Sequence, residues 1–270
     1  MVQGECKHFL SPWEELSYIK YLMSEKFKVF ETQEVMQLRT KSIQYLQELV
    51  ESWHIKIGIE KNVDKGLLES KKAKLLVFGS YRLGVHFAGT DIDTICVFPS
   101  FIQKEEFLND FKSFVSAREN ISEVLRIQEA STPIIKLRVF GIQFDLLFAA
   151  IDVAHINSQN DIEKLIFNET LFNNLSRMTQ RSLNGYLCNA NIQKCVPHFG
   201  NFRNFLRIIK LWAKRRCIYS AMLGYLTGIS CAVLVAKIHQ ENPDLEVVDL
   251  VYRFFEVYSK SDWRNPVTIK

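Results

Sequence analysis

Phe78-Gly79-Ser80-Tyr81-Arg82-Leu83-Gly84-Val85-His86 is followed, after four further residues, by Asp91-Ile92-Asp93. Lys74-Leu75-Leu76-Val77-Phe78 reads as a buried strand, which Gly79-Ser80 breaks into a turn. The chain re-enters a strand at Asp91-Ile92-Asp93-Thr94-Ile95-Cys96-Val97. Strand side chains alternate faces, so Asp91 and Asp93 point one way and Ile92 points into the core. Two neighbouring carboxylates on one face repel, and nothing in folding favours them. A divalent cation between them removes that penalty, and hard cations such as Mg²⁺ take oxygen ligands. A later apolar run, Ile142-Gln143-Phe144-Asp145-Leu146-Leu147-Phe148, carries a third carboxylate. Three carboxylates converging on one sheet edge can hold two metal ions, Mg²⁺ or Mn²⁺, the arrangement used for in-line displacement at phosphorus. Gly79 lets the backbone approach a polyphosphate closely, and the turn can offer it N–H groups and the Ser80 hydroxyl.

Asp-X-Asp alone is a weak signal, found also in sugar-nucleotide glycosyltransferases, and Gly-Ser alone is an ordinary turn pair. Their order is far more specific: strand, Gly-Ser, short gap, Asp-X-Asp on a strand, then a lone Asp in a later apolar strand. In that order the chain resembles the polymerase-β-like nucleotidyltransferases.

The likeness is closer still to the eukaryotic nuclear-type poly(A) polymerases. It is carried by Phe78 to His86, Thr90-Asp91-Ile92-Asp93, Pro133-Ile134-Ile135-Lys136-Leu137 and the Gly141 to Phe148 strand. Ser182-Leu183-Asn184-Gly185, Ile209 to Arg215, Ile218-Tyr219-Ser220 and Trp263-Arg264-Asn265-Pro266-Val267 are similar too. The resemblance runs from about residue 30 to the last residue. It implies adenylyl transfer from ATP to an RNA 3′ end, two divalent ions held by Asp91, Asp93 and Asp145, and residence in the nucleus beside cleavage and polyadenylation factors. It further implies nucleotide contacts at Phe78, Gly79, Ser80, Ile134, Asn184, Lys210, Tyr219, Gly228 and Ile229. Two alternatives stand beside it: a transferase using another nucleotide such as UTP, and a non-catalytic paralogue that binds RNA or a processing factor.

The sequence departs from the family pattern in places. Phe87-Ala88-Gly89-Thr90 stands where the family commonly has Thr-Lys-Gly-Ala, so a bulky ring replaces a hydroxyl and a cation is lost. Thr227 stands where the family has a second glycine beside Gly228. The family continues past the Asn265-Pro266 region with more helical domain and an RRM-like domain, so these residues alone are expected to hold primer RNA weakly.

A length of 270 residues with 47% hydrophobic residues permits a substantial core. The net charge of +4 permits a nucleic-acid partner without demanding one. Cys6, Cys96, Cys188, Cys195, Cys217 and Cys231 form no CxxC pair, which fits a reducing compartment. Met1 to Trp13 lacks a signal-peptide pattern, and no apolar run reaches the length of a membrane span. The expectation is a soluble intracellular protein with no membrane partner.

Along the chain, Ser11 and Pro12 read as a helix start, and Thr32 to His54 as a long amphipathic helix. Asn62 to Lys74 reads as a polar surface turn. Lys104 to Ser116 reads as a helix with its aromatics inward, and Gly141 as a hairpin turn. Strands interleaved with helices predict a mixed α/β (α+β) sheet domain over 31–152. A change to helices only predicts an all-helical central domain over 153–270, with residues 1–30 packed on it. Asn184-Gly185 reads most simply as a turn or helix end. In Asn201 to Arg216, Arg203, Arg207, Lys210 and Lys214 form a stripe that is either a solvated face or, given the aspartates, a positive wall for triphosphate or RNA backbone. Gly228 at a helix start admits either a ligand or a neighbouring helix.

Overall fold

A computed structural model describes residues 11–127, 132–156 and 159–269; Cys6 lies outside them. In chain order the elements are α1 (Pro12–Tyr21), α2 (Gln33–Glu60), α3 (Lys65–Ser70), β1 (Lys74–Phe78), α4 (Gly79–Arg82) and β2 (Ile92–Pro99). There follow α5 (Lys104–Glu106), α6 (Lys112–Ser116), β3 (Ile121–Ile127), β4 (Ile134–Val139) and β5 (Ile142–Ile151). The rest is helical: α7 (Gln159–Phe167), α8 (Glu169–Asn173), α9 (Arg177–Cys195), α10 (Phe199–Arg215), α11 (Gly228–Glu241) and α12 (Val247–Lys260). The chain forms two compact units, one of Glu31–Arg82 and Gly89–Asn189, the other of Leu83–Ala88, Ala190–Lys270 and the residues up to Phe30.

The first unit is built on a five-stranded mixed sheet in the order β1-β2-β5-β4-β3. Only β2 and β5 run parallel; β1 pairs β2, and β4 pairs β5 and β3, antiparallel. Alternation gives the sheet two unlike faces. Ile92, Cys96, Phe98, Phe144, Leu146, Phe148, Ile135, Leu137 and Val139 face one core with Leu46, Val50 and Trp53 of α2. At its centre Trp53 meets Phe98 and Phe111 edge-on at 5.2 and 5.1 Å, and Phe107 stacks on Phe111 at 5.3 Å. Such side chains contribute about 1.5–3 kcal/mol each by burial. The expected helix from Lys104 is real, but a π-helical turn, Phe107–Phe111, separates α5 from α6 and carries three of its inward residues, Phe107, Leu108 and Phe111.

On the opposite face, Leu76, Ile95, Val97, Ala149 and Ile151 lie under Ile162, Leu165, Ile166, Leu183 and Tyr186 of α7 and α9. The helices after residue 153 therefore begin inside the sheet's own unit, which continues to Asn189. Composition changes there because the covering layer, unlike the sheet, is made of helices.

Local chemistry explains the element starts. Ser11 caps α1 in a full capping box with Glu14, and Thr32 caps α2. Phe140 and Gly141, at φ +48° and +81°, form the tight turn between β4 and β5, conformations suited to a two-residue hairpin. Two expectations need correcting. The segment after Asn62 is not all turn: Asp64 accepts from the Leu67 N–H at 2.9 Å and starts α3, and Leu68 is buried. Asn184-Gly185 is no turn either, but lies in the middle of α9. A Cβ on Gly185 would stand 2.5 Å from Cε2 of Phe78, so the glycine makes room for that ring.

His54 of α2 is fully buried, stacks on Phe101 at 5.7 Å, and has no hydrogen-bond partner on either nitrogen. Burial pushes its pKa down to about 4, with Glu51 opposing. The folded state thus holds a neutral imidazole, while the unfolded chain takes up a proton near pH 6.5. This contribution is fully present above that pH and fades as pH falls toward 4. By pH 5 it should have cost on the order of 2 kcal/mol of stability. Urea unfolding of His54→Phe should lose this part of the acid sensitivity between pH 7 and 5; an unchanged pH dependence would contradict the assignment.

In the second unit α10, α11 and α12 pack through Phe202, Phe205, Leu206, Ile209, Val235, Ile238, Leu250 and Phe254. Leu83 and Val85 belong to this core. Thr227 caps α11, its hydroxyl accepting from the Ser230 N–H at 3.2 Å. The departure from glycine at that position thus supplies a helix cap. No helix among the described residues is long and apolar enough to cross a membrane, and the five described cysteines are unpaired.

Candidate active site

Strand register gathers the first set of site residues. Phe78 pairs Asp93, Asp93 pairs Asp145, and Asp145 pairs Lys136, so these four stand in one row across β1, β2, β5 and β4. Paired residues share a face. Here it is the face that α7 and α9 cover further along the strands. Ile134, two residues before Lys136 on β4, shares that face. Asp91 precedes β2 and has the parity of Asp93.

Gly79, at φ +68°, opens the one-turn helix α4, and a Cβ there would stand 2.0 Å from Oδ2 of Asp93. The Asp93 carboxylate therefore rests where only glycine leaves room. Ser80 follows in α4, and the Gly185 contact with Phe78 sets Asn184, exposed on α9, one residue from that ring's contact.

Asp145 is closely held. Its side chain is 13% exposed; Oδ2 accepts from Lys136 Nζ at 2.5 Å, and Oδ1 is buried with no partner. Burial raises its pKa, the Lys136 bond and charge pull it down, and the Asp91 charge raises it again. The last effect places Asp91 and Asp145 within electrostatic reach. Among the described residues no group of three or more His, Cys, Asp or Glu side chains is gathered tightly enough to hold an ion as it stands. The Lys136 ammonium stands at the Asp145 carboxylate as a counter-charge. The donor set is still all oxygen, as Mg²⁺ or Mn²⁺ requires, and the orphaned Oδ1 is a ligand atom in want of a cation. By donor chemistry these residues fit divalent ions.

Sequence reasoning missed Lys136, although a lone cation in Ile134-Ile135-Lys136-Leu137 was a signal. It also missed Arg39 and Glu31. Their buried ion pair, described below, was signalled only by an arginine on the apolar side of α2.

The second unit gathers another set. Lys210 is buried and donates to the Val85 carbonyl at 2.9 Å, and Arg207 donates to the Gly84 carbonyl. Burial, and then Arg203, lower the pKa of Arg207. The basic stripe of α10 is thus neither wholly solvated nor a bare wall, because two of its members hold loop carbonyls. Phe87 is buried with Met23 and Val29, and the ammonium groups of Lys210 and Lys214 lie 5.1 and 5.2 Å from its ring. Lys214 also lies 5.3 Å from the Tyr219 ring. Aromatic faces attract cations, so Phe87 seats both lysines. A Cβ on Gly228 would stand 2.9 Å from the Tyr219 hydroxyl, which is the close neighbour that this glycine admits. Ile229 is 43% exposed beside it.

Residues 15–196 match the poly(A) polymerase nucleotidyltransferase domain, and residues 201–270 match the poly(A) polymerase central domain. The chain belongs to the poly(A) polymerase family. A poly(A) polymerase of Dictyostelium discoideum is 36% identical over 244 residues, which are 90% of this chain and 30% of that protein. Nuclear poly(A) polymerase 2 of Arabidopsis thaliana is 35% identical over 251 residues, 93% of this chain and 31% of that protein. The chain therefore spans about a third of the length of these two relatives. Among solved structures, the polymerase core of TRAMP, an RNA surveillance complex, is similar with a TM-score of 0.57 at 20% identity, over 93% of this chain and 65% of that one. The Cid1 RNA terminal uridylyl transferase aligns with a TM-score of 0.60 at 18% identity, over 93% of this chain and 74% of that one. At such identities the likeness shows the nucleotidyltransferase fold of the family.

Proposed function

We propose that this poly(A) polymerase family member transfers AMP from ATP to the 3′ end of RNA. The observation that carries the proposal is the row Phe78–Asp93–Asp145 in a chain of this family, closed at one end by the obligate glycine before Ser80. Asp91 and Asp93 would hold two divalent ions and Asp145 the one nearer the attacking hydroxyl. When bound, such ions lower the pKa of that hydroxyl and stabilise charge on the phosphates. The protein's own groups do the rest. Asp145 orients the 3′-hydroxyl, and Ser80 with the Gly79 backbone receives a phosphate oxygen. Phe78 and Ile134 flank the base, and Asn184 meets the ribose. Lys210, held at Val85, supplies positive charge to the phosphates, with Tyr219, Gly228 and Ile229 completing the nucleotide contacts. Residence in the nucleus follows the name of the Arabidopsis relative, and cleavage and polyadenylation factors are the partners proposed with it.

Extension of a labelled oligo(A) primer with each nucleoside triphosphate singly, in Mg²⁺ and then Mn²⁺, tests the proposal. Extension with ATP alone is the expected result. Extension with UTP instead would overturn the substrate while keeping the chemistry, and no extension with any triphosphate would overturn the enzyme.

A further inference from the structure

Glu31 and Arg39 form an ion pair whose side chains are 3% and 2% exposed. It is bidentate: Arg39 Nε donates to Glu31 Oε2 and Nη2 to Oε1, each at 2.6 Å. The pair also reaches a distant loop. Arg39 Nη2 donates to the Thr90 carbonyl at 2.6 Å, and Glu31 Oε1 accepts from the Gly89 N–H at 3.1 Å. The two charges therefore bracket the Gly89–Thr90 peptide, one holding its preceding N–H and the other its following C=O. Asp91 is the next residue.

Taking two charges out of water costs several kcal/mol per ion, and well-packed apolar residues would serve stability as well or better. Arg39 Nη1 is itself buried without a hydrogen-bond partner, a further cost. What an apolar pair could not do is grip both ends of a peptide in one geometry. Gly89 needs that grip: it has φ +77° and no atom within 4 Å of where a Cβ would be, so side-chain packing does not fix it. The grip is rigid, because Arg39 lies on α2, whose later turns are pinned in the core by Leu46, Val50 and Trp53. Its Cζ also lies 5.8 Å from the ring of Tyr81, the residue after Ser80.

We propose, resting on the metal role given above to Asp91, that Arg39 and Glu31 are positioning residues for that carboxylate. The fork locks the entry to β2 so that Asp91 presents its oxygens to the divalent ion in one orientation. Lysine would not replace Arg39, since one ammonium cannot make two parallel bonds to Glu31 and still reach the Thr90 carbonyl in fixed geometry. Nor would glutamine replace Glu31, which needs both oxygens as acceptors.

The test is Mn²⁺ binding by the full chain, read from the spin-resonance signal of free Mn²⁺, for the wild type, Arg39→Lys, Glu31→Gln and Asp91→Ala. Circular dichroism and melting temperature are recorded on each. Arg39→Lys and Glu31→Gln are expected to fold and to weaken Mn²⁺ by about 10- to 100-fold, the usual effect of losing an outer-shell partner. The Mn²⁺ needed for half-maximal primer extension should rise in step, while KM for ATP at saturating Mn²⁺ stays near that of the wild type. Added guanidinium should restore Mn²⁺ binding to Arg39→Ala. Wild-type Mn²⁺ affinity in either folded variant would overturn the positioning role and leave the metal site standing. A wild type that binds Mn²⁺ no better than Asp91→Ala would overturn the metal site, and the positioning role with it. Should Arg39→Lys fail to fold, Glu31→Gln decides alone.

Discussion

Asp93→Asn is expected to lower primer extension by on the order of 10³-fold while the metal-free protein still folds. The two halves of that result come from different physics. Asparagine keeps the size of the side chain, so the contact with Gly79 survives, and it removes one negative charge from a row that already contains Asp145 and has Asp91 close by. Folding without metal therefore keeps that contact. On the proposed mechanism catalysis loses an ion ligand. Metal-borne stabilisation of the transition state amounts to several kcal/mol, and about 4 kcal/mol corresponds to the stated 10³-fold. Activity within tenfold of the wild type would mean that Asp93 holds no ion that matters to the reaction.

Gly79→Ala should be nearly as damaging, through distance alone. The new methyl would begin 2.0 Å from Asp93 Oδ2, so the carboxylate has to move by an ångström or more. Displacement of that size at a reacting centre costs about 10²-fold in rate. The backbone is strained as well, since φ is +68°, which costs a residue with a Cβ about 1–2 kcal/mol. Gly141→Ala separates the two effects. It too has positive φ, at +81°, but nothing stands within 4 Å of the added atom. Both variants should therefore lose stability in urea unfolding, Gly79→Ala the more because its methyl also meets Asp93, and only Gly79→Ala should lose activity. Equal activity in the two would show that the Asp93 carboxylate is free to relocate.

The strands carrying the aspartates were legible because alternation and burial are local properties of a strand. The Ser11 cap and the Gly141 turn were legible for the same reason: each is decided within a few residues. Lys136 was within reach. A two-residue hairpin at Phe140-Gly141 fixes the register of β4 on β5, and that register sets Lys136 opposite Asp145. Gly185 was not, because a glycine in a helix looks like a helix end unless the Phe78 ring from a remote strand is known to lie against it. The same holds for Arg39, whose partners Glu31 and Thr90 flank it from different parts of the chain. The covering layer of α7 and α9 was read as a change of domain because helices and strands differ in periodicity whether or not they share a core.

The passage of Leu83–Ala88 out of the sheet's unit bears on inheritance. Neither unit corresponds to one uninterrupted run of codons, since the stretch between Ser80 and Asp91 leaves the first and returns to it. A recombination event that exchanged residues 31–189 as a cassette would carry Gly84 and Val85 away from Arg207 and Lys210, the side chains that hold their carbonyls. Shuffling the sheet onto a foreign helical partner would thus leave both cations and both carbonyls to find new company at once.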